Sequence, residues 1–288
     1  MFWIAPLTQP TWRDIGLLRS IKRMMRPVQP VLQWVGGFDS WSSADHSSQS
    51  YHDDDLIERV VSSSLEVIKG DAVAERDGVV LDRVDTDTLL SAFFSSLKQE
   101  DLFHDAPLRV LDIGGALGTA YRQAKGIVGT SQPLQWTIVE QKPLAQVGMQ
   151  QLASDELHFV SEITSSLLKE TDLIYFGSSL CYIENAFQII EMLGDSSAQT
   201  LIIERTPFSR DDGGSDHRHR VTRQIVDHNL MGYGASGIDS YPCYVFSHTA
   251  LVHALSPDWQ LESSQQDRVQ PAFDPVHQSL LFTRVSDG

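Results

Sequence analysis

The stretch Arg109-Val-Leu-Asp-Ile-Gly-Gly-Ala-Leu-Gly118 is an apolar strand that carries an acid near its tip and then turns at once through three glycines. Glycine is required where the chain bends sharply and a ligand passes where a Cβ would stand. In a dinucleotide-binding turn the glycines bring a helix N-terminus up to a pyrophosphate, and the residue two places before the first glycine is apolar. Here that residue is Asp112. A carboxylate at this point repels a pyrophosphate and accepts from an ammonium, so the turn reads as the seat of a ligand with an amino-acid end.

Working outward, residues 110–113, 136–140, 157–160, 173–176 and 200–204 read as five strands, with helical patterns between them that include 144–152 and 186–193. Such alternation implies a parallel sheet with right-handed crossovers and ligands at the carboxyl ends of the strands. Residues 259–264 and 279–285 add a closing antiparallel pair. The expected fold is therefore α/β: a Rossmann-like, seven-stranded, mostly parallel sheet with a helical cap before it. Residues 54–69 and 89–97 supply the cap helices by their apolar period, whereas 34–51, rich in Gly, Ser and aromatics, reads as irregular. The expected division is a basic amphipathic helix in 1–30, a cap in 31–105 and a ligand-binding core in 106–288.

Composition limits the function classes. Apolar residues make up 41% and charged residues 21%, which is ordinary for a globular chain. A formal charge of -16 opposes docking of the whole surface on nucleic acid or anionic lipid and favours small-molecule or glycan substrates. Cys181 and Cys243 are too few for a disulfide framework, and no basic stretch precedes an apolar signal core, so a cytoplasmic location is expected. Residues 11–26 interleave Arg13, Arg19, Lys22, Arg23 and Arg26 with apolar positions, a pattern for weak membrane-surface contact or for packing on the domain or a second subunit of a homodimer.

The candidate site follows the strand tips. Gly114, Gly115 and Gly118 form the turn, and Glu140, 22 residues beyond Gly118, ends the next strand where a carboxylate accepts from ribose hydroxyls. An ammonium-binding acid before the turn and a ribose-binding acid after it together read as a site for S-adenosylmethionine. Ser161 and Glu162 would lie at the adenine edge. Gly177, Ser178 and the following Ser-Leu-Cys-Tyr would lie beside the reactive methyl group, with Cys181 read as a buried thiol rather than a nucleophile and Tyr182 as either cofactor packing or a helix start. Arg205, after the fifth strand, reads either as a clamp for an anionic acceptor or, with Glu204, as a salt bridge to the cap. Residues 74–77, Ala-Glu-Arg-Asp, read as a solvated turn or a charged hinge touching the site. Asp211, Asp212, Asp216, His217 and His219 fit no zinc or calcium spacing, and no metal is assigned. His217, His219 and His228 are candidate bases, and Tyr241 and Cys243 line either an acceptor pocket or the core, ahead of a helix capped by Ser247.

The ordered set Ala74-Glu-Arg-Asp77, Leu111-Asp-Ile-Gly-Gly-Ala-Leu-Gly118 with Tyr121, Trp136-Thr-Ile-Val-Glu140, Glu204-Arg-Thr-Pro-Phe-Ser209 and Tyr241-Pro-Cys-Tyr-Val-Phe-Ser247 resembles a family of bacterial methyltransferases whose genes lie among those for polysaccharide and O-antigen biosynthesis. The resemblance runs from about residue 34 onward. It implies a class I methyltransferase fold, S-adenosylmethionine as cofactor and a sugar or lipid-linked glycan as acceptor. Three departures stand out: Ala116 where that family tends to glycine, Ser50 before Tyr51, and a long 210–240 segment. Two other readings compete, a noncatalytic scaffold that keeps the fold and an NAD-dependent oxidoreductase, and Asp112 argues against the second.

Overall fold

The computed structural model describes residues 32–48, 54–76, 78–81, 88–99, 105–210, 219–227, 238–266 and 275–285. The chain begins with β1 (Leu32–Phe38), α1 (Trp41–His46) and α2 (Asp54–Lys69), followed by a hairpin of β2 (Ala74–Arg76) and β3 (Val79–Leu81) and by α3 (Leu89–Gln99). Then come β4 (Leu108–Ile113), α4 (Thr119–Val128), β5 (Leu134–Val139), α5 (Lys142–Gln151), β6 (Leu157–Val160), α6 (Ser165–Lys169), β7 (Leu173–Gly177) and α7 (Ala186–Met192). The last elements are β8 (Thr200–Phe208), β9 (His219–Asp227), β10 (Ile238–Phe246), α8 (His248–Leu255), β11 (Trp259–Gln266) and β12 (Val276–Arg284).

Strands β6, β5, β4, β7 and β8 lie side by side and parallel, and β12 joins β8 antiparallel with β11 beyond it. The order reverses between β5 and β7 around β4, the switch point where a ligand crevice opens at the carboxyl ends. This is the expected arrangement of five parallel strands closed by an antiparallel pair. Alternation along each strand divides the core in two. Leu111, Ile113, Ile174, Phe176, Leu201 and Ile203 pack with Leu168 of α6, Ile190 of α7 and Leu251 of α8 on one face. Val110, Trp136, Ile138, Leu173, Tyr175 and Ile202 meet Leu56 and Val60 of α2, Leu90 and Phe94 of α3 and Ala124 of α4 on the other. Phe94 stacks near Trp136, and both are wholly buried; such burial contributes about 2–3 kcal/mol per side chain.

Three expectations are corrected. Residues 34–51 are not irregular: β1 and α1 occupy most of the described part, and Ser40 caps α1 by accepting from the Ser43 N–H. The segment after Arg210 is not simply a loop, because β9 runs from His219 and pairs antiparallel with both β1 and β10. β8 does not stop before Pro207. It continues to Phe208 because the register with β12 shifts between Gln278 and Leu280, and the backbone at Arg205 takes up the extra residue with φ +49°. The cap also contains the β2–β3 hairpin in addition to its helices. The main sheet has ten strands among the described residues. The three extra ones, β1, β9 and β10, form a ribbon that attaches to the far end of β8 through Phe246 opposite Phe208. Residues 11–26 and Tyr51 lie outside the described residues.

Candidate functional site

Backbone strain marks the place. Among the described residues, the non-glycine residues with positive φ are Ala116 (48°), Ser178 (74°) and Arg205 (49°). Ala116 follows β4, Ser178 follows β7 and Arg205 lies where β8 passes beyond β7, so all three cluster at the carboxyl edge of adjacent strands. Strain of this kind persists only where surrounding structure imposes it. Ala116 thus carries a glycine-like conformation at the position where the resembling family tends to glycine.

The turn packs tightly on its own protein. The Gly114 N–H donates to the Val139 carbonyl at 2.8 Å, and a Cβ on Gly114 would stand 2.4 Å from the Ser179 Cβ. On Gly115 it would stand 2.3 Å from Asp112 Oδ2. Asp112 itself is wholly buried. Its Oδ2 accepts from the Trp136 indole N–H at 3.0 Å, and its Oδ1 has no hydrogen-bond partner in the protein. Burial pushes the carboxyl from 3.8 to about 7, the Trp136 bond opposes that rise, and the charges of Glu140 and Glu204 add to it. A buried acceptor oxygen left without a partner, on a group close to its titration midpoint at neutral pH, suits a cationic donor.

Glu140 sits just past β5. Its Oε2 accepts from the Ala116 N–H at 3.1 Å and its Oε1 from the Gln141 N–H at 2.8 Å. Gly118 opens α4 with φ +93° and no side-chain cap. Ser161 and Glu162 are exposed beyond β6. Gly177 and Ser178 are half-buried at the end of β7, and the Ser178 hydroxyl reaches the Arg205 carbonyl at 3.4 Å. Cys181 is buried, and burial followed by the neighbouring Cys243 thiol pushes its pKa well above the ordinary value, which leaves it inert as a nucleophile.

Arg205 and Glu204 hold structure at this edge. Glu204 is 1% exposed; its Oε1 accepts from the Leu90 N–H of α3 at 2.9 Å, and its Oε2 accepts from the Tyr175 hydroxyl at 2.8 Å and from Arg205 Nη1 at 3.2 Å. Arg205 Nη2 donates to the Gly177 carbonyl at 3.2 Å. Asp112, Tyr175 and Glu204 therefore form a polar row across β4, β7 and β8 on the cap-facing side of the sheet. The solvated-turn reading of 74–77 is corrected for Glu75, which lies buried in β2. Its buried carboxylate accepts from the Thr119 hydroxyl at the start of α4 and lies 3.7 Å from Arg122, whose Nη1 in turn donates to the Leu117 carbonyl at 2.8 Å. Strand pairing in the hairpin turns Glu75 inward, a signal that four residues of sequence do not carry.

The ribbon closes the opposite side. Tyr182 meets Gln224 of β9 by a short hydrogen bond and the buried Tyr241 ring edge-on at 6.2 Å. Arg59 of α2 pairs with Asp239 of β10 at 2.6 Å. His219, by contrast, packs among Phe187 and Tyr244, opposite Phe246. It lies five residues along β9 from the partner of Tyr241, about 17 Å away, so the structure does not bring these two candidates together. Asp77, Asp211, Asp212, Asp216, His217 and His228 lie outside the described residues. Among those described, no group of three His, Cys, Asp or Glu residues is placed to hold a metal, and no helix is long and apolar enough to cross a membrane. Sequence reading missed the half-buried His277 at the start of β12 and Gln224 of β9, which meets Tyr182.

No protein-family model matches the sequence, and no curated protein matches it. Solved structures give distant likenesses. An S-adenosylmethionine-dependent methyltransferase from Clostridium acetobutylicum is 10% identical with a TM-score of 0.44, the match covering 76% of this chain and 94% of that one. The N-terminal domain of EvdMO1, crystallised in the presence of SAH and D-fucose, is 11% identical with a TM-score of 0.44 over 93% of this chain and 97% of that one. The glycopeptide N-methyltransferase MtfA, complexed with S-adenosylmethionine, is 9% identical with a TM-score of 0.41 over 66% and 93%.

Proposed function

We propose that this chain is an S-adenosylmethionine-dependent methyltransferase of class I acting on a small-molecule or glycan acceptor. The observation that carries the reading is the orphaned Oδ1 of Asp112, buried beneath the Gly115 turn at the sheet's switch point. When bound, the cofactor supplies an electrophilic methyl group on a sulfonium. The chain's own residues bind and align. Asp112 provides negative charge for the amino-acid end, and it is stronger for being in a low-dielectric surround. Gly114 to Gly118 let the ligand approach the backbone. Glu140 takes the ribose hydroxyls, and Ser161 and Glu162 border the adenine. Gly177 and Ser178 flank the methyl group, and Arg205 fixes the Gly177 carbonyl there. Most of the rate gain in such a site comes from alignment of acceptor and methyl group.

The test is isothermal titration of the full chain with S-adenosylmethionine, S-adenosylhomocysteine and NAD. The reading expects the first two to bind at one site and NAD not to bind. Binding of NAD alone would move the chain to the oxidoreductase class, and cofactor binding without transfer to any acceptor would favour the scaffold.

A further inference from the structure

The turn that follows β4 is left-handed at two places, Ala116 with φ +48° and Gly118 with φ +93°. Alanine holds that conformation only where neighbouring groups fix it. Glu140 does so from the end of β5, by taking the Ala116 N–H at 3.1 Å. A second carboxylate, Glu75 of the cap, meets the same turn through Arg122 and Thr119. Arg122, one turn into α4, reaches back along the helix. Its Nη1 donates to the Leu117 carbonyl at 2.8 Å and its Nη2 to the Thr119 hydroxyl at 3.1 Å. Nη1 also stands 3.7 Å from where a Cβ on Gly118 would lie. Glu75, 4% exposed in β2, accepts from the Thr119 hydroxyl and lies 3.7 Å from Arg122 Nη2. The Arg122 side chain is 23% exposed, and burial weakens its charge while Glu75 supports it. A guanidinium so enclosed is costly without a paired carboxylate. The hairpin that carries Glu75 is itself seated, since a Cβ on Gly78 would stand 2.9 Å from the Arg59 Cβ of α2.

We propose, resting on the methyltransferase reading, that Glu75 is a positioning residue for the cofactor: by pairing with Arg122 and binding Thr119 it keeps residues 116–118 shaped to receive S-adenosylmethionine. Glu75 acts through those two residues and not on the cofactor itself. With the carboxylate gone, Arg122 is a buried cation without its counter-charge. It turns toward water, and the Leu117 carbonyl loses the Arg122 N–H. Residues 116–118 then sample other conformations, and binding must first restore the one that fits. Linkage makes the effect reciprocal: whatever factor the docked hairpin adds to cofactor affinity, the cofactor adds to hairpin docking. A carboxylate that merely stabilised the cap would show no such tie to the ligand.

The experiment uses the full chain with S-adenosylhomocysteine as the probe. Glu75→Gln keeps the shape of the side chain and an oxygen for Thr119 but removes the charge. Calorimetry should show affinity lowered at least about fivefold, the lower end of couplings between sites. In an Arg122→Gln background the same substitution should change affinity by less than about twofold, because the charge has nothing left to hold. In the wild type, S-adenosylhomocysteine should slow amide exchange in β2 and β3 at least about fivefold, and in Glu75→Gln it should slow it less. A smaller loss of affinity in Glu75→Gln, an equal loss in both backgrounds, or hairpin exchange indifferent to the ligand each overturns the proposal. Should Glu75→Gln fail to fold, the wild-type exchange measurement decides alone. Failure of the wild type to bind either cofactor form is a different result and overturns the reading beneath it.

Discussion

Replacing Asp112 with Asn separates what the site costs the fold from what it gives the ligand. The carboxyl moves from 3.8 to about 7 on folding, chiefly through burial. Three units at about 1.4 kcal/mol each make that burial unfavourable by about 4 kcal/mol once the group is ionised in both states. The sign follows from proton binding: the folded state holds the proton longer, so stability is undiminished below pH 4, declines as pH rises from about 4 to 7, and stays at its lower value above. Asn retains an oxygen for the Trp136 N–H and has no charge to desolvate. Its amide nitrogen adds a cost that does not vary with pH. The stability of Asp112→Asn relative to wild type should therefore rise by about 4 kcal/mol between pH 4 and pH 8, measured by urea unfolding at unit steps of pH, while affinity for S-adenosylmethionine falls. A stability difference that is flat with pH would refute the argument, because it would mean that the carboxylate is solvated in the folded protein.

Two further outcomes test the surrounding framework. Gly115→Ala should abolish S-adenosylhomocysteine binding and lower thermal stability, since its Cβ would meet the Asp112 carboxylate at 2.3 Å; calorimetry and a melting curve check both. Glu204→Ala deprives the Leu90 N–H, the Tyr175 hydroxyl and Arg205 of a shared acceptor. A loss of about 3–5 kcal/mol is expected, with faster amide exchange at the start of α3 than in α8.

The parallel core was legible because its physics is local. An apolar run that ends on an acid and a glycine turn specifies strand, bend and helix within about ten residues, and the boundaries expected for β4 to β8 differ from those found mainly at their ends. Ser247 was legible as a cap for the same reason, and it accepts from the Ala250 N–H at 3.1 Å. The ribbon was not legible. β1 pairs with β9 across nearly two hundred residues of chain, and Gly36 and Gly37 within β1 read locally as loop. Pro207 signalled an end to β8, yet the strand continues through it, opposite His277 of β12, to Phe208. The site divides in the same way. Asp112, the glycines and Glu140 could be placed at the strand tips from spacing alone, whereas Glu75 meets the start of α4 through a contact with Thr119 that lies distant in sequence.

The most direct test of the central claim is the heat of titrating the intact chain with S-adenosylmethionine at pH 7.5 in two buffers of different ionisation enthalpy. Binding at one site with release of a fraction of a proton is predicted, because an ammonium placed beside Asp112 draws its carboxyl from the midpoint to the ionised form. No binding, or binding with no proton exchanged in wild type and Asp112→Asn alike, would contradict the account.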